Sequence, residues 1–423
     1  MGIDHLPSEF AIDGVDALYV HVPFCDSKCH YCDFYSVAGH LDQVDAFLEA
    51  MRVEAALWRC ATRNASSDPA LRGGGGGKRK ISPSTIFIGG GTPTLLAPEK
   101  LRRLLTLIRE AIDPSRLVEF TVEANPNTFD SDRAAVLREG GINRVSFGAQ
   151  SFLASELRTL QRNHDPESVA RAFETARQAD IDNLNIDLIF GIPGQTLETW
   201  EYSLTHALEL RPQHMSCYSL IYEPGTAMTT RMKRSDFSPI AEDLELAMFE
   251  HVYARMRAAG FRRYEVSNYA FPGRECRHNI HYWKGSQWLA WGPAAAGHLA
   301  GEGGRWRWKN VASLKHYLES LLSATGQPTL PLTQVEHLSP RAWAGEVAAF
   351  WLRLSEGLDY ADFQARTGID GRPVLERALQ KYVELDLVEL LPTCVRLTEK
   401  AVAVSNRIFA DALAAFEECT SVP

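Results

Sequence analysis

No apolar run in this 423-residue chain approaches the roughly 18 residues needed to cross a bilayer. The opening stretch, MGIDHLPSEFAIDGVDALYV, lacks the basic start and apolar core of a secretory leader. Gly2 follows Met1, but Leu6 stands where a myristoylation signal carries Ser or Thr. Positive charge is in deficit: 44 Lys and Arg against 53 Asp and Glu leave a formal net charge of -9, without the basic face of a nucleic-acid binder. Cysteine is scarce and unevenly spread. Cys25, Cys29 and Cys32 crowd together, while Cys60, Cys217, Cys276, Cys394 and Cys419 are scattered. A secreted disulfide framework would distribute its pairs over a small domain, so the trio reads instead as a metal or cluster site. These absences describe a soluble, cytoplasmic protein with no transmembrane segment and no nucleic-acid partner.

What is present is ordinary globular composition, 45% hydrophobic and 23% charged, organised as alternating strands and helices. ALYVHV (17–22) reads as a strand, and Val44, Phe47, Leu48 and Met51 follow at helical spacing. Strands at 85–88, 118–124, 144–150, 183–190 and 214–220 alternate with helices at 98–111, 131–139, 153–160, 166–179, 196–209 and 241–259. Six successive strand–helix units predict an α/β fold with a parallel sheet curling toward a (β/α) barrel, complete or partial. Residues 1–16 form an N-terminal arm to a barrel domain over 17–325. Within it, NASSDPALRGGGGGKRK (64–80) lacks the apolar content to order itself and marks a flexible insertion over 63–82. Its glycines show neither Walker spacing nor a following helix. A second domain is expected from 326 to 423. Trp343, Val347, Phe350, Trp351 and Leu354 make one helical face, a second helix spans about 373–385, LVELLPTCVRLT (387–398) resembles a hairpin, and a last helix runs to about 417. That order is mostly helical and winged-helix-like.

The trio lies in HVPFCDSKCHYCDFYS, spaced C-x3-C-x2-C. Thiolates suit iron–sulfur clusters, zinc or Cu(I). A structural zinc site needs four ligands, often two paired C-x-x-C knuckles, and no second pair exists here. Zinc completed by His21 or His30, or plain free thiols, are the competing readings. Three thiolates on a four-iron cube leave one iron open to a small chelating molecule. A loop after the first strand puts that iron at the carboxyl-end mouth of the sheet, where barrel enzymes do their chemistry.

With GGGTPT (89–94) after the second strand, the chain resembles the radical S-adenosylmethionine superfamily. YVHVPFC (19–25), EANP (123–126), GINRVSFGAQSF (141–152), LQRNH (160–164) and NIDLIFGIPGQT (185–196) resemble its oxygen-independent coproporphyrinogen III oxidase branch. The resemblance covers the chain from about residue 17 into the C-terminal domain. It implies a partial (β/α)6 radical SAM barrel, a [4Fe-4S] cluster on Cys25, Cys29 and Cys32, and S-adenosylmethionine on its open iron. It implies further that Tyr19, Gly90, Gly91, Thr92, Glu123, Gln150, Arg162 and Asp187 line the S-adenosylmethionine pocket. Read as bare residues, Arg162 and Asp187 could equally be ion-paired at strand ends, and Gln150 a sheet-end hydrogen bonder.

Two groups share this pattern. The oxidases resemble C-x3-C-x2-C-x-C, but Phe34 occupies the fourth position here, and only 24 residues precede Cys25, against a longer arm in that group. RHNIHYW (277–283) contains H-N-x-x-Y-W, which resembles the signature of the HemW-type heme chaperones. That resemblance implies heme as a further cofactor, His278 as its contact, and an acceptor such as a respiratory hemoprotein, with a reductant for the cluster. Imidazole is a common axial ligand, and Tyr282 and Trp283 offer flat apolar faces. Cys276 is a second candidate ligand, and Arg277, His281 and Lys284 are candidate propionate partners. The plainer alternative makes His278 and Asn279 a hydrogen-bonded pair in a loop, with Tyr282 and Trp283 packing the barrel's open side. The implied function is heme transfer to acceptor hemoproteins; the alternatives are the oxidase itself or another radical enzyme acting on a tetrapyrrole.

Overall fold

A computed structural model describes residues 14–61, 80–301, 304–323 and 326–418. Most of the expected N-terminal arm, residues 63–79 of the expected insertion and the last five residues lie outside that range. Six parallel strands run in chain order: β1 (Val15–Val22), β2 (Thr85–Gly90), β3 (Glu119–Ala124), β4 (Arg144–Gln150), β5 (Asn183–Phe190) and β6 (His214–Ser219). Between them the chain returns through helices Val44–Ala61, Pro98–Ala111, Ser131–Glu139, Ala154–Leu160, Pro166–Gln178 and Leu197–Glu209. Local chemistry sets the helix ends. Asp130 and Asp165 cap the helices that follow them, Pro166 opens one, and Thr196 with Thr199 forms a capping box.

Alternation along each strand sorts the side chains. Ile86, Ile88, Phe120, Val122, Val145, Phe147, Leu184 and Ile186 join the main apolar core, beneath the helices. Their neighbours Thr85, Glu119, Thr121, Arg144, Ser146, Asn185 and Ser216 are buried on the opposite, inner face. The barrel thus has a polar lumen, an arrangement that composition alone does not announce.

The structure settles the choice between a full and a partial barrel: six strands curl and the sheet stays open. Beyond β6 it continues through antiparallel Asn268–Ala270 and Arg262–Arg263. On the other side β1 pairs in parallel with Gln287–Trp291, followed by antiparallel Ala296–Gly301, Gly304–Asn310 and Leu332–Leu338, twelve strands in all among the described residues. Leu332–Leu338 lies after residue 325 yet pairs with Gly304–Asn310, and the second apolar cluster begins only at Leu338.

That second cluster is built by helices Pro340–Trp351, Tyr360–Thr367, Arg372–Val383 and Ser405–Glu418 with the hairpin Val388–Leu390/Cys394–Leu397, to which Leu358–Asp359 adds a third strand. The expected winged-helix-like order holds with one extra helix, Tyr360–Thr367. Trp343, Val347, Trp351 and Leu354 are buried as the periodicity predicts. Phe350 departs from it: the side chain is 41% exposed, with its ring near Trp283.

Candidate functional site

The cysteine loop leaves the carboxyl end of β1 and is held from several sides. Gly91 N–H donates to Val22 O (2.8 Å) and Thr92 N–H to Phe24 O (2.7 Å), tying the loop to the end of β2. His30 N–H donates to Leu160 O, and Met228 N–H to His30 O. The glycines are needed for this approach. A Cβ on Gly91 would stand 2.6 Å from Phe24 O, and Gly90 has φ +104° with the His21 ring where a side chain would go. The run therefore serves first to seat β2 against the cysteine loop and His21.

Cys25, Cys29 and Cys32 are all half-buried and unpaired. Burial pushes the Cys25 thiol up and that of Cys32 to about 11, each raised further by its neighbouring cysteines. Arg162 reaches in from beyond helix Ala154–Leu160. Its guanidinium contacts Cys29 Sγ (3.6 Å) and donates to Gly148 O (2.5 Å), while its buried Nε has no partner. Among the described residues no three His, Cys, Asp or Glu side chains converge as ligands of a single ion. A four-iron cube takes each thiolate on a different iron and spaces the sulfurs more widely. Of the two histidines considered for zinc, His21 has both ring nitrogens engaged and His30 one. His21 donates from Nε2 to Tyr35 O (2.8 Å) and accepts the Tyr19 hydroxyl at Nδ1 (3.1 Å), and His30 Nδ1 faces Arg231 (3.1 Å). Phe34 is 59% exposed. Three soft donors with no fourth protein ligand fit a cluster with one open iron.

Below the loop the lumen carries two carboxylates, on β3 and β5, the strands that flank β4. Glu123 accepts from Gly90 N–H (3.2 Å), and its carboxyl is pushed up to about 7 by burial, with Asp187 adding to the shift. Asp187 accepts from Asn185 (2.7 Å) and Ser146 (3.0 Å) and is also raised by burial. Tyr19, its hydroxyl on His21, is raised well above its ordinary value by burial and then by Glu123. Gln150 closes β4 at φ +64° beside a register shift; a left-handed non-glycine residue is strained and re-aims its side chain. Cys25, Cys29, Cys32, Tyr19, Gly90, Gly91, Thr92, Glu123, Gln150, Arg162 and Asp187 are thus gathered around the cysteine loop and the lumen beneath it.

His278 is elsewhere. The segment RHNIHYW is not a loop but a helix, Arg277–Trp283, lying against the first residues of β2 and β3, at the opposite end of the barrel from the cysteines. Glu119 holds it there, accepting from Arg277 N–H (2.9 Å), His278 N–H (3.1 Å) and Cys276 Sγ (3.6 Å). His278 is 1% exposed. Its Nδ1 is bonded to Thr85 Oγ1 (3.0 Å) and Nε2 to Tyr282 OH (2.8 Å), and burial lowers its pKa to about 3. The open imidazole that the resemblance implies is therefore a neutral one with both nitrogens engaged. Burial pushes the Cys276 thiol up to about 12, against a thiolate role. Of the candidate propionate partners, His281 bonds Ser84 and Lys284 pairs with Glu356.

Sequence reasoning missed this floor. Glu119, fully buried Arg144 and His214, which is bonded to Asn185 and Tyr264, start their strands as polar residues among β-formers. That oddity was the available signal. It also missed Glu54, which continues the apolar spacing of Phe47 and Met51 and is buried, accepting from Tyr317, Asn310 and Gly292 N–H.

This architecture is that of a radical SAM protein. Residues 19–207 match the model of the radical SAM superfamily and residues 338–404 that of the HemN C-terminal domain. The chain resembles the heme chaperone HemW of Bacillus subtilis, at 34% identity over 92% of this chain and 97% of that one, and HemW of Mycobacterium tuberculosis H37Rv, at 36% over 86% and 88%. Among solved structures, the coproporphyrinogen III oxidase HemN of Escherichia coli shares the fold, with TM-score 0.77 and 22% identity over 97% of this chain and 92% of that one. The chain belongs to the HemW family.

Proposed function

We propose that the chain is a heme chaperone that carries a [4Fe-4S] cluster with S-adenosylmethionine and passes heme to an acceptor hemoprotein, in the cytoplasm. One observation carries the reading. In a chain 34% identical to a protein named heme chaperone HemW over nearly its whole length, an exposed phenyl ring, Phe34, stands where the oxidases resemble a fourth cysteine.

Cys25, Cys29 and Cys32 would hold the cluster, and Gly90, Gly91 and Thr92 would let the nucleotide's methionine end approach it. Arg162 is placed to pair with a carboxylate. Glu123 and Asp187 are acceptors for an ammonium or ribose hydroxyls, with Tyr19 and Gln150 completing the wall. When bound, the cluster would supply an electron to S-adenosylmethionine. The lumen residues orient the ligand, and the apolar packing around them keeps bulk water out.

For His278 the surroundings support a packing role, since axial ligation requires Nε2 to release Tyr282 or Nδ1 to release Thr85. The test is a hemin titration of anaerobically reconstituted protein beside His278→Ala. One heme per chain is expected, with the Soret maximum unmoved by the substitution. A lost Soret shift in the variant would put the imidazole on the iron. Failure of the parent to bind hemin, or protoporphyrinogen formed from coproporphyrinogen III with S-adenosylmethionine and reductant, would overturn the chaperone reading.

A further inference from the structure

Where the added strands of the sheet meet the C-terminal unit, four basic side chains gather around Ser286, just past the signature helix. His281 comes from that helix, His298 from strand Ala296–Gly301, Arg305 from strand Gly304–Asn310 and Arg366 from helix Tyr360–Thr367. The Ser286 hydroxyl accepts from Arg366 Nη1 (3.3 Å) and donates to His281 Nδ1 (3.2 Å), and the Ser286 carbonyl accepts from His298 Nδ1 (3.3 Å). Trp343 sets Arg305 beside them. Its ring lies 4.0 Å from the Arg305 guanidinium and 6.4 Å from the His298 ring.

The cluster is short of acceptors and of negative charge. Arg305 Nη1, Arg366 Nε and His298 Nε2 are each buried without a hydrogen-bond partner, and His298 is only 3% exposed. Among the described residues, no carboxylate pairs with Arg305 or Arg366. Acids on the flanking elements are already taken, Glu336 and Glu346 by Arg307 and Glu356 by Lys284. Burial, with the Arg366 charge adding to it, holds the Arg305 guanidinium below its ordinary value. Burial likewise lowers His298 to about 4, with Arg305 and Arg307 adding to the shift. Two arginines are thus held near one another, half-buried and without a counter-charge, in a chain whose net charge is -9. Stacking on Trp343 offsets part of that cost but gives Arg305 Nη1 no acceptor. Buried donors without acceptors and like charges kept together are both unfavourable, and one bound anion relieves both.

We infer that this cluster is a binding site for a phosphate-type dianion, held by the Arg305 and Arg366 guanidinia with the Ser286 hydroxyl beside them. Two cationic forks without a counter-charge match two negative charges, and the planar guanidinium suits phosphate oxygens. Inorganic phosphate and the phosphate group of a monoester share that chemistry. Bound there, the dianion would join strand Gly304–Asn310 to helix Tyr360–Thr367 and, through Ser286 and His281, to the signature helix. The site does not depend on the chaperone reading.

The test uses the full-length protein at constant ionic strength, with chloride as the control anion and with inorganic phosphate and glycerol 3-phosphate titrated calorimetrically. The parent should bind one phosphate per chain saturably. Arg305→Gln and Arg366→Gln should each weaken that binding by roughly tenfold to a hundredfold, the loss of a charge-assisted hydrogen bond, and Arg366→Lys should retain more affinity than Arg366→Gln. Melting temperature separates a ligand contact from a packing role. Phosphate should raise the melting temperature of the parent and not that of Arg305→Gln. Without phosphate, Arg305→Gln should melt no lower than the parent, because it removes an unpaired charge. Binding of glycerol 3-phosphate through the same arginines assigns the site to a phosphate ester, and its failure assigns the site to free phosphate. Absence of saturable phosphate binding by the parent, or equal affinity in the parent and both glutamine variants, overturns the site. So does an Arg305→Gln protein that melts lower without phosphate yet gains the parent's full increment with it, since the arginine would then serve only to pack on Trp343.

Discussion

The two ends of the barrel are built on opposite terms. At the carboxyl end, polar groups are held ready without being satisfied. Three thiols stand free of disulfides, the Arg162 Nε is buried and unbonded, and Glu123 has its carboxyl raised to about 7 by burial and by Asp187. At the amino end the signature helix is matched, although the buried Arg144 Nε is not. Glu119 closes three donors of the signature segment, His278 uses both ring nitrogens, and His281 is bonded to Ser84 and Ser286. Unmet polar groups in a buried site are costly and persist where a ligand completes them. Matched ones hold a packing arrangement in place. By that criterion the mouth has the character expected of the proposed binding site and the signature helix that of a fastening.

The sharpest way to separate the ends is to disable one. Cys29→Ala should abolish the cluster, read as loss of nearly all iron and acid-labile sulfide after reconstitution. The apoprotein should meanwhile nearly keep its unfolding midpoint, because Cys29 is half-buried and its Sγ meets only the long contact from Arg162 (3.6 Å). Full iron occupancy in that variant would remove the mouth's assignment. Disabling the floor should do the reverse. Glu119→Ala leaves two helix-start N–H groups without their acceptor and should cost about 3 kcal/mol by urea denaturation, with iron incorporation kept at permissive temperature. An unchanged midpoint would show that the signature helix is held by packing alone.

A smaller effect should appear with pH. Glu123 has its folded-state pKa raised from 4.5 to about 7, so the folded state binds the proton more tightly than the unfolded one. The resulting stabilisation of the apoprotein is complete below the unfolded value and is lost as pH rises through about 7. Glu54 is raised to about 7 too and adds to the same slope. Glu123→Gln should flatten, without abolishing, the fall in stability between about pH 5 and pH 7.5. An unaltered slope would mean that Glu123 is solvated in the folded protein.

Much of the mouth was legible because its signals are local. Three cysteines in eight residues, a glycine run and strand ends bearing Glu123, Gln150 and Asp187 each announce themselves within a short window, and parallel order brings them together. The floor was not, because its bonds are long-range. Nothing near Glu119 in sequence says that it will cap a helix that begins at Arg277. RHNIHYW is only two helical turns long, too short for periodicity to show, and so it read as loop. The strands from Gln287 to Leu338 alternate imperfectly, with Trp306 and Trp308 among charged residues, and they join the sheet through β1 rather than through a repeat of the earlier unit. The extra helix Tyr360–Thr367 was hidden for a similar reason: its eight residues carry only two apolar anchors, Tyr360 and Phe363, in the buried set.

The placement of β1 bears on how the molecule is made. It is the first of the described strands in chain order, yet it lies inside the twelve-stranded sheet, with Tyr19 opposite Phe87 on one side and Ala290 on the other. On the ribosome, where amino-terminal segments organise first, the cysteine loop meets its anchors at Gly91 and Thr92 early, while the strand at 287–291 and the helix that closes the barrel are still unmade. A nascent chain that folded in that order would have its thiols assembled while the lumen still stood open from beneath. Iron and sulfide delivered then would enter a half-built barrel, and translation of the signature segment would shut it behind them.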